Sequence, residues 1–246
     1  MVFFPRSVRN VGMMVALALA LGACDSGTSD DGGTSFSFAT SAEGWTADIA
    51  DYDDDMLQEI GFVFEHRPSP DGFQGSDGAL YLRGKNVSDD LLMYAKRRVS
   101  GLVPGATYVL SGSVVIGTPY GAGCDGPGGP PGEAVVVKLG ASSAEPTTVP
   151  ATRDGTAGNV LSIDIGGQNL QSRGADGISI GDVAADGGTC SGDGPSVPKT
   201  LMILDGQLTV DADSDGQVWL LVGTDSGYED VTSIYIDTID IVLTQQ

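Results

Sequence analysis

Residues 100–114 read Ser-Gly-Leu-Val-Pro-Gly-Ala-Thr-Tyr-Val-Leu-Ser-Gly-Ser-Val. Pro104-Gly105 is a turn pair, because proline presets φ at one turn position and glycine accepts a positive φ at the next. Beyond the turn, Tyr108, Leu110, Val114 and Ile116 fall on alternate positions with Gly112. That alternation predicts a strand over 107–117 with one apolar face. The residues before the turn, 89–99, are a second β-type run.

Outward from this unit the same grammar repeats. Short β-type runs cover 35–38, 45–52, 59–67, 78–83, 133–140, 161–165, 178–183, 199–204, 207–210, 217–224 and 233–244, separated by Gly, Pro and Asp turns. In one of them Val135, Val137 and Leu139 share a face and Lys138 takes the other. Only 56–60 suggests a helical turn. Short strands with frequent turn signals predict an all-β fold, a sandwich or barrel. Residues 119–132 hold four Pro and six Gly and cannot form a ladder. Residues 166–177 and 184–198 are also long and polar, and loops of that length in a compact domain are commonly functional or disordered.

Residues 1–34 are of another kind. Arg6 and Arg9 precede an apolar core over 11–21, too short to span a bilayer, and Leu21-Gly22-Ala23-Cys24 follows. This stretch resembles the lipobox of bacterial lipoproteins. The resemblance implies cleavage before Cys24, a diacylglyceryl thioether on its thiol and an acyl chain, such as palmitate, on its amine. Two or more chains anchor a protein stably. The plainer alternative is an ordinary secretory signal. Residues 24–34 then form a Gly-, Ser- and Asp-rich tether, and 35–246 one β-sandwich domain. The expected location is the bacterial cell envelope, lipid-anchored. Asp25 resembles an inner-membrane retention signal of enteric bacteria, a rule that varies between lineages, so inner and outer membrane both stay open.

The chain carries 33 acidic and 12 basic side chains, a net charge of −21, and loss of Arg6 and Arg9 with the leader takes it to −23. Such a surface excludes nucleic acid, which needs a basic footprint. It suits solubility, and it suits divalent cations, since carboxylates are the ligands Ca²⁺ prefers. Export to an oxidising space favours a disulfide between Cys124 and Cys190, 66 positions apart in two Gly-rich loops. No His or further Cys lies near either in sequence to make a metal pair.

The 100–114 segment also resembles the "Gly-Leu-x-Pro-Gly-x-x-Tyr-x-Leu" turn of galactose-binding-like jelly rolls, the fold of many carbohydrate-binding modules. Residues 36–45, ending Glu43-Gly44-Trp45, resemble their opening strand, and 233–243 their closing strand. The likeness covers about 40 residues and implies a jelly-roll-like β-sandwich. It also implies a structural Ca²⁺ near an Asp of the closing strand, where Asp237 and Asp240 interrupt an apolar run; Asp237 alternates with Ile239, Ile241 and Leu243. Asp211, Asp213, Asp215 and Gly216 have the spacing of a Ca²⁺ loop. Position twelve of an EF-hand falls on Val222, so either a hairpin turn or a different Ca²⁺ site is meant. Residues 51–55 hold a second acidic cluster with the same two readings.

Trp45, Tyr81, Tyr94, Trp219 and Tyr228 are the rings that could stack on a sugar or pack in the core. Tyr81 alternates with Arg83, and Tyr94 with Lys96 and Arg98, aromatic-plus-basic faces in an acidic chain. The ligand candidates are Tyr81, Arg83, Tyr94 and Trp219. His66 is the only histidine, and no phosphate loop or zincin motif occurs. The sequence thus reads as a non-catalytic lipoprotein binding a glycan or surface polymer. A structural or protein-partner role is the alternative, and a polysaccharide hydrolase or lyase a third.

Overall fold

The computed structural model describes residues 1, 32–71, 73, 77–153 and 156–246. The leader, Cys24 and tether residues 24–31 lie outside the described residues. In chain order the strands are β1 (Gly32–Phe36), β2 (Thr46–Ala50), β3 (Tyr52–Asp53), β4 (Val63–Pro68), β5 (Gly78–Lys85), β6 (Leu91–Ser100) and β7 (Thr107–Thr118), then β8 (Val135–Ser142), β9 (Thr148–Arg153), β10 (Thr156–Leu161), β11 (Gly177–Asp182), β12 (Val197–Asp211), β13 (Gln217–Ser226) and β14 (Val231–Gln245). A short helix α1 (Leu57–Ile60) follows a 3₁₀ turn at Asp54–Met56.

Two antiparallel sheets pack face to face as a jelly-roll-like β-sandwich. One has the order β12-β7-β14-β5-β4, with β1 also on β14, and the other has the order β11-β8-β13-β6-β2. Alternate apolar residues of both sheets meet in one core. It includes Leu80, Leu82, Leu110, Val114, Ile116, Ile234, Ile239 and Ile241 from the first sheet and Met93, Ala95, Val137, Leu139, Leu220 and Val222 from the second. Phe36, Phe38 and Trp45 close one side of the core, with Trp45 edge-on to both phenylalanines.

The segment around Pro104 folds as its sequence demands. Ala106 N–H donates to the Val103 carbonyl across the Pro104-Gly105 turn, and Gly105 has φ +69°. Val103 N–H donates to the Tyr108 hydroxyl at 2.8 Å, and Leu102 N–H to the Gly216 carbonyl at 3.0 Å, tying this turn to the β12–β13 hairpin. Gly112 has φ +141° and lies so near the Asp240 carbonyl that no side chain fits. There the register of β12 on β7 shifts, between Ile203 and Leu208.

Four sequence expectations need correction. Strand β1 starts at Gly32, inside the expected tether, because its backbone pairs with Ile239–Leu243 of β14. Residues 57–60 are helix, as the turn expected at 56–60 predicts, so the run expected over 59–67 begins only at Val63, after Gly61 ends the helix in a left-handed conformation. The run 199–204 and the run 207–210 are one bulged strand, β12. Residues 162–165 are irregular, while 148–153 and 156–161 make a hairpin. That hairpin and β3 form a small third sheet, β3-β10-β9.

Candidate functional site

The third sheet and the chain that follows it lie on the outer face of the β11-β8-β13-β6-β2 sheet. Register fixes the rows on that face. Ser179, Lys138, Gly223, Tyr94 and Asp48 are neighbours in one row. Gly177, Gly140, Leu221, Lys96 and Thr46 form the next, and Ser142, Trp219 and Arg98 a third. Ile165 covers the inner rows, making a second apolar cluster with Ala50, Leu92, Tyr94 and Leu221. The Tyr94 hydroxyl is 3.0 Å from Thr148 Oγ1, which donates to the Ile49 carbonyl. Lys138 is fully buried, with Nζ donating to the Gly167 carbonyl at 2.8 Å and to Ser179 Oγ at 3.2 Å.

These placements settle two candidates. Tyr94 is completely buried, so it is a fastening for the covering segment and not a stacking surface. Burial pushes its hydroxyl pKa up to about 12, against a smaller downward pull from Thr148. Tyr81 sits on the outer face of the other sheet. The Arg67 guanidinium lies over its ring at 3.7 Å, and Tyr235 packs beside it at 4.9 Å, so its ring is already occupied. Arg83 is half-exposed next to it. The expected ligand residues are therefore split, with Tyr81 and Arg83 on one sheet and Tyr94 and Trp219 on the other.

Trp219 is different. It is half-exposed, two residues into β13, outside the covering segment. Arg98, its partner across the β13–β6 ladder, has its guanidinium 5.8 Å from the indole centroid, and Lys96 Nζ is 5.6 Å away. Lys96 is held by Glu145 at 2.7 Å and the Pro146 carbonyl at 2.6 Å, which brings that turn beside the ring. The arrangement is one aromatic ring with two cations over it, at 5.6 and 5.8 Å from its centroid, and a polar turn at its flank. Trp45 is core and Tyr228 packs against Gly126, so neither adds to it. In the sequence Lys96 and Arg98 were visible beside Tyr94; their partnership with Trp219 needs the strand register.

The acidic candidates do not gather. Asp213 Oδ1 accepts from Asp215 N–H at 2.9 Å and Gln217 N–H at 2.8 Å, the bonding of a hairpin turn. Asp211 accepts from Thr107 Oγ1 at 2.6 Å. Asp237 lies in a bulge, where the register of β14 on β7 shifts between Ile236 and Thr238. The extra residue takes Asp237 off the face of Ile239, Ile241 and Leu243, contrary to the alternation, and Ser69 Oγ donates to it at 3.0 Å. Asp54 of the 51–55 cluster accepts from Asn159 Nδ2. Among the described residues no three His, Cys, Asp or Glu side chains stand where they could hold one metal ion. His66 Nε2 donates to the Phe38 carbonyl at 2.6 Å, a structural use.

The disulfide between Cys124 and Cys190 is present and joins the two glycine-rich loops, as expected. A further feature, with no signal in the sequence, is a shallow cleft of about 380 Å³ between edge strands β11 and β12, lined by Leu170, Ile180, Leu201, Met202 and Leu204.

No family model matches the chain, and no curated protein matches it. Among solved structures it is similar to a carbohydrate-binding module that recognises mannan, at 15% identity and TM-score 0.38, over 87% of this chain and 96% of that one. It is also similar to a xylan-binding domain from Paenibacillus barcinonensis, at 11% identity and TM-score 0.37, over 87% and 94%. A third is an adhesin domain of Lys-gingipain from Porphyromonas gingivalis, at 12% identity and TM-score 0.36, over 87% and 98%. Likenesses at this level carry no weight for function, which rests on the site itself.

Proposed function

We propose that this chain is a non-catalytic carbohydrate-binding lipoprotein of the bacterial envelope, with Trp219 as its stacking surface. One observation carries the proposal: Trp219 is a half-exposed ring flanked by polar groups, while Trp45, Tyr81 and Tyr94 are covered. A sugar presents C–H groups on its faces and hydroxyls at its edge. An indole face with Arg98, Lys96 and Ser142 around it meets both needs. With one ring and a turn at its side, the platform suits a single sugar unit. A lipid anchor at Cys24 keeps the domain at the membrane surface. A screen of soluble polysaccharides against the full chain and its Trp219→Ala variant tests the proposal. Retention by the parent and not by the variant supports it, and equal retention of both, or of neither, removes it.

The β11–β12 cleft favours a second reading, a protein partner, because Leu170, Met202 and Leu204 are exposed on it. A pull-down lost on Met202→Ser with Leu204→Ser, and kept on Trp219→Ala, would select that reading.

A further inference from the structure

We infer that the Trp219 site selects an acidic sugar, a uronic acid, and that Arg98 reads its carboxylate. This rests on the carbohydrate-binding proposal for the same site. In a chain with 33 acidic and 12 basic side chains, each cation is expected to find a carboxylate. Arg67, Lys85, Lys96 and Lys199 do so. Arg97 and Arg173 donate to backbone carbonyls, of Glu43 and Gln207, and Lys138 is satisfied beneath the covering segment. Arg98 makes no hydrogen bond or ion pair among the described residues, and its guanidinium stands at the Trp219 ring. Arg83 shares that freedom, but it stands beside a ring that Arg67 already covers.

Chemistry and geometry agree on the ligand. A guanidinium offers a planar fork of N–H donors that fits a carboxylate in two parallel bonds. At 5.8 Å from the indole centroid it is within reach of the C5 substituent of a sugar ring stacked there. A uronic acid carries its carboxylate at that carbon, and a neutral hexose carries a hydroxymethyl group. Lys96 is engaged by Glu145 and Pro146, so it sets the wall and leaves the ligand charge to Arg98. The chain's net charge of −21 opposes an anion at long range. Screening beyond about 8 Å at physiological salt leaves the local pair in control.

The test is titration calorimetry, with ligand-observed magnetic resonance for weak binding, on the full chain. The probes are methyl glucuronide and methyl galacturonide, each against the corresponding neutral methyl glycoside. At least one uronide should bind roughly tenfold tighter than its neutral counterpart, the size of one charge-assisted bond. Arg98→Gln should erase that preference, Arg98→Lys should restore only part of it, and Trp219→Ala should remove both ligands. Uronides that bind no better than the neutral sugars overturn the inference. So does a preference that persists in Arg98→Gln. If neutral polysaccharides are retained through Trp219 while no uronide binds, the inference fails and the carbohydrate-binding proposal stands. If nothing binds in a Trp219-dependent way, both fall.

Discussion

Trp219 and Arg98 are partners across the β13–β6 ladder, and the Arg98 guanidinium lies 5.8 Å from the Trp219 ring centroid. The pairing places an aromatic ring and a cation with no ion pair among the described residues on the outer sheet face, outside the covering segment. Because Trp219 is half-exposed and outside both apolar clusters, its loss should affect binding and not folding. Trp219→Ala should weaken any glycan complex by tenfold or more, about 1.4 kcal/mol. Its Tm should fall by no more than about 4 °C, as for a change near 1 kcal/mol in a domain of this size. Calorimetry and a thermal melt on the same sample check both.

The disulfide closes a long loop. Its two cysteines are 66 positions apart, and they fasten loops that also meet through backbone bonds from Gly121 N–H to the Thr189 carbonyl and from Thr189 N–H to the Pro119 carbonyl. Cys124→Ser with Cys190→Ser should cost about 4 kcal/mol in the chain-entropy treatment. Chemical denaturation of the two proteins under oxidising conditions measures it.

Asp213 is a turn residue. It accepts from the backbone at two positions, so Asp213→Ala should cost about 1 kcal/mol. The same loss should appear in excess calcium and in chelator. A melting temperature that rises with calcium in the parent and not in the variant would reinstate the cation-binding reading of 211–216.

Tyr94 should make the fold sensitive to alkali. Burial raises its folded-state pKa to about 12, while the unfolded phenol ionises near 10. Its contribution is therefore full below pH ~10 and is lost as the pH climbs towards ~12. Burial pushes the Tyr120 and Tyr52 phenols up as well, so Tyr94→Phe should reduce this slope and not abolish it. Lys138 acts in the opposite sense. Burial holds its pKa below the ordinary value, against Asp225, Asp164 and Asp90, so its contribution improves with pH until the unfolded lysine loses its proton near 10.4. Denaturant midpoints across pH 8–12 for parent and variant give both slopes.

Much of the fold was legible because its signals are local. The Pro104-Gly105 turn, the alternation of Tyr108 to Ile116 and the faces of Val135 to Leu139 each report on a few neighbouring residues, and each folds as read. What could not be read depends on partners far along the chain. Lys138 sits on the outward face, as alternation says, yet it is buried, because 161–176 lies over it. Tyr94 is hidden by the same cover. Asp237 alternates with Ile239 until a one-residue bulge moves it. The β9–β10 hairpin was missed because Thr-Val-Pro-Ala-Thr-Arg is short, polar and broken by proline. At the site, Trp219, Lys96 and Arg98 were all visible, but they meet only through the register of two strands more than 100 residues apart.

The proposed lipid anchor at Cys24 is open to a direct check. Cys24→Ser should free the protein from washed membranes into the soluble fraction, and labelling with a radioactive fatty acid should be lost with it. A variant that stays with the membrane would remove the lipoprotein reading while leaving the sandwich and its site untouched.

The most direct measurement of the central claim is a tryptophan fluorescence titration with a polysaccharide that the chain retains. The two tryptophans differ sharply in exposure, since Trp45 is only 2% exposed in the core. A saturable change in emission should therefore persist in Trp45→Phe and vanish in Trp219→Phe. Saturable binding that leaves Trp219 emission unchanged, or an affinity unaltered in Trp219→Ala, would contradict the account.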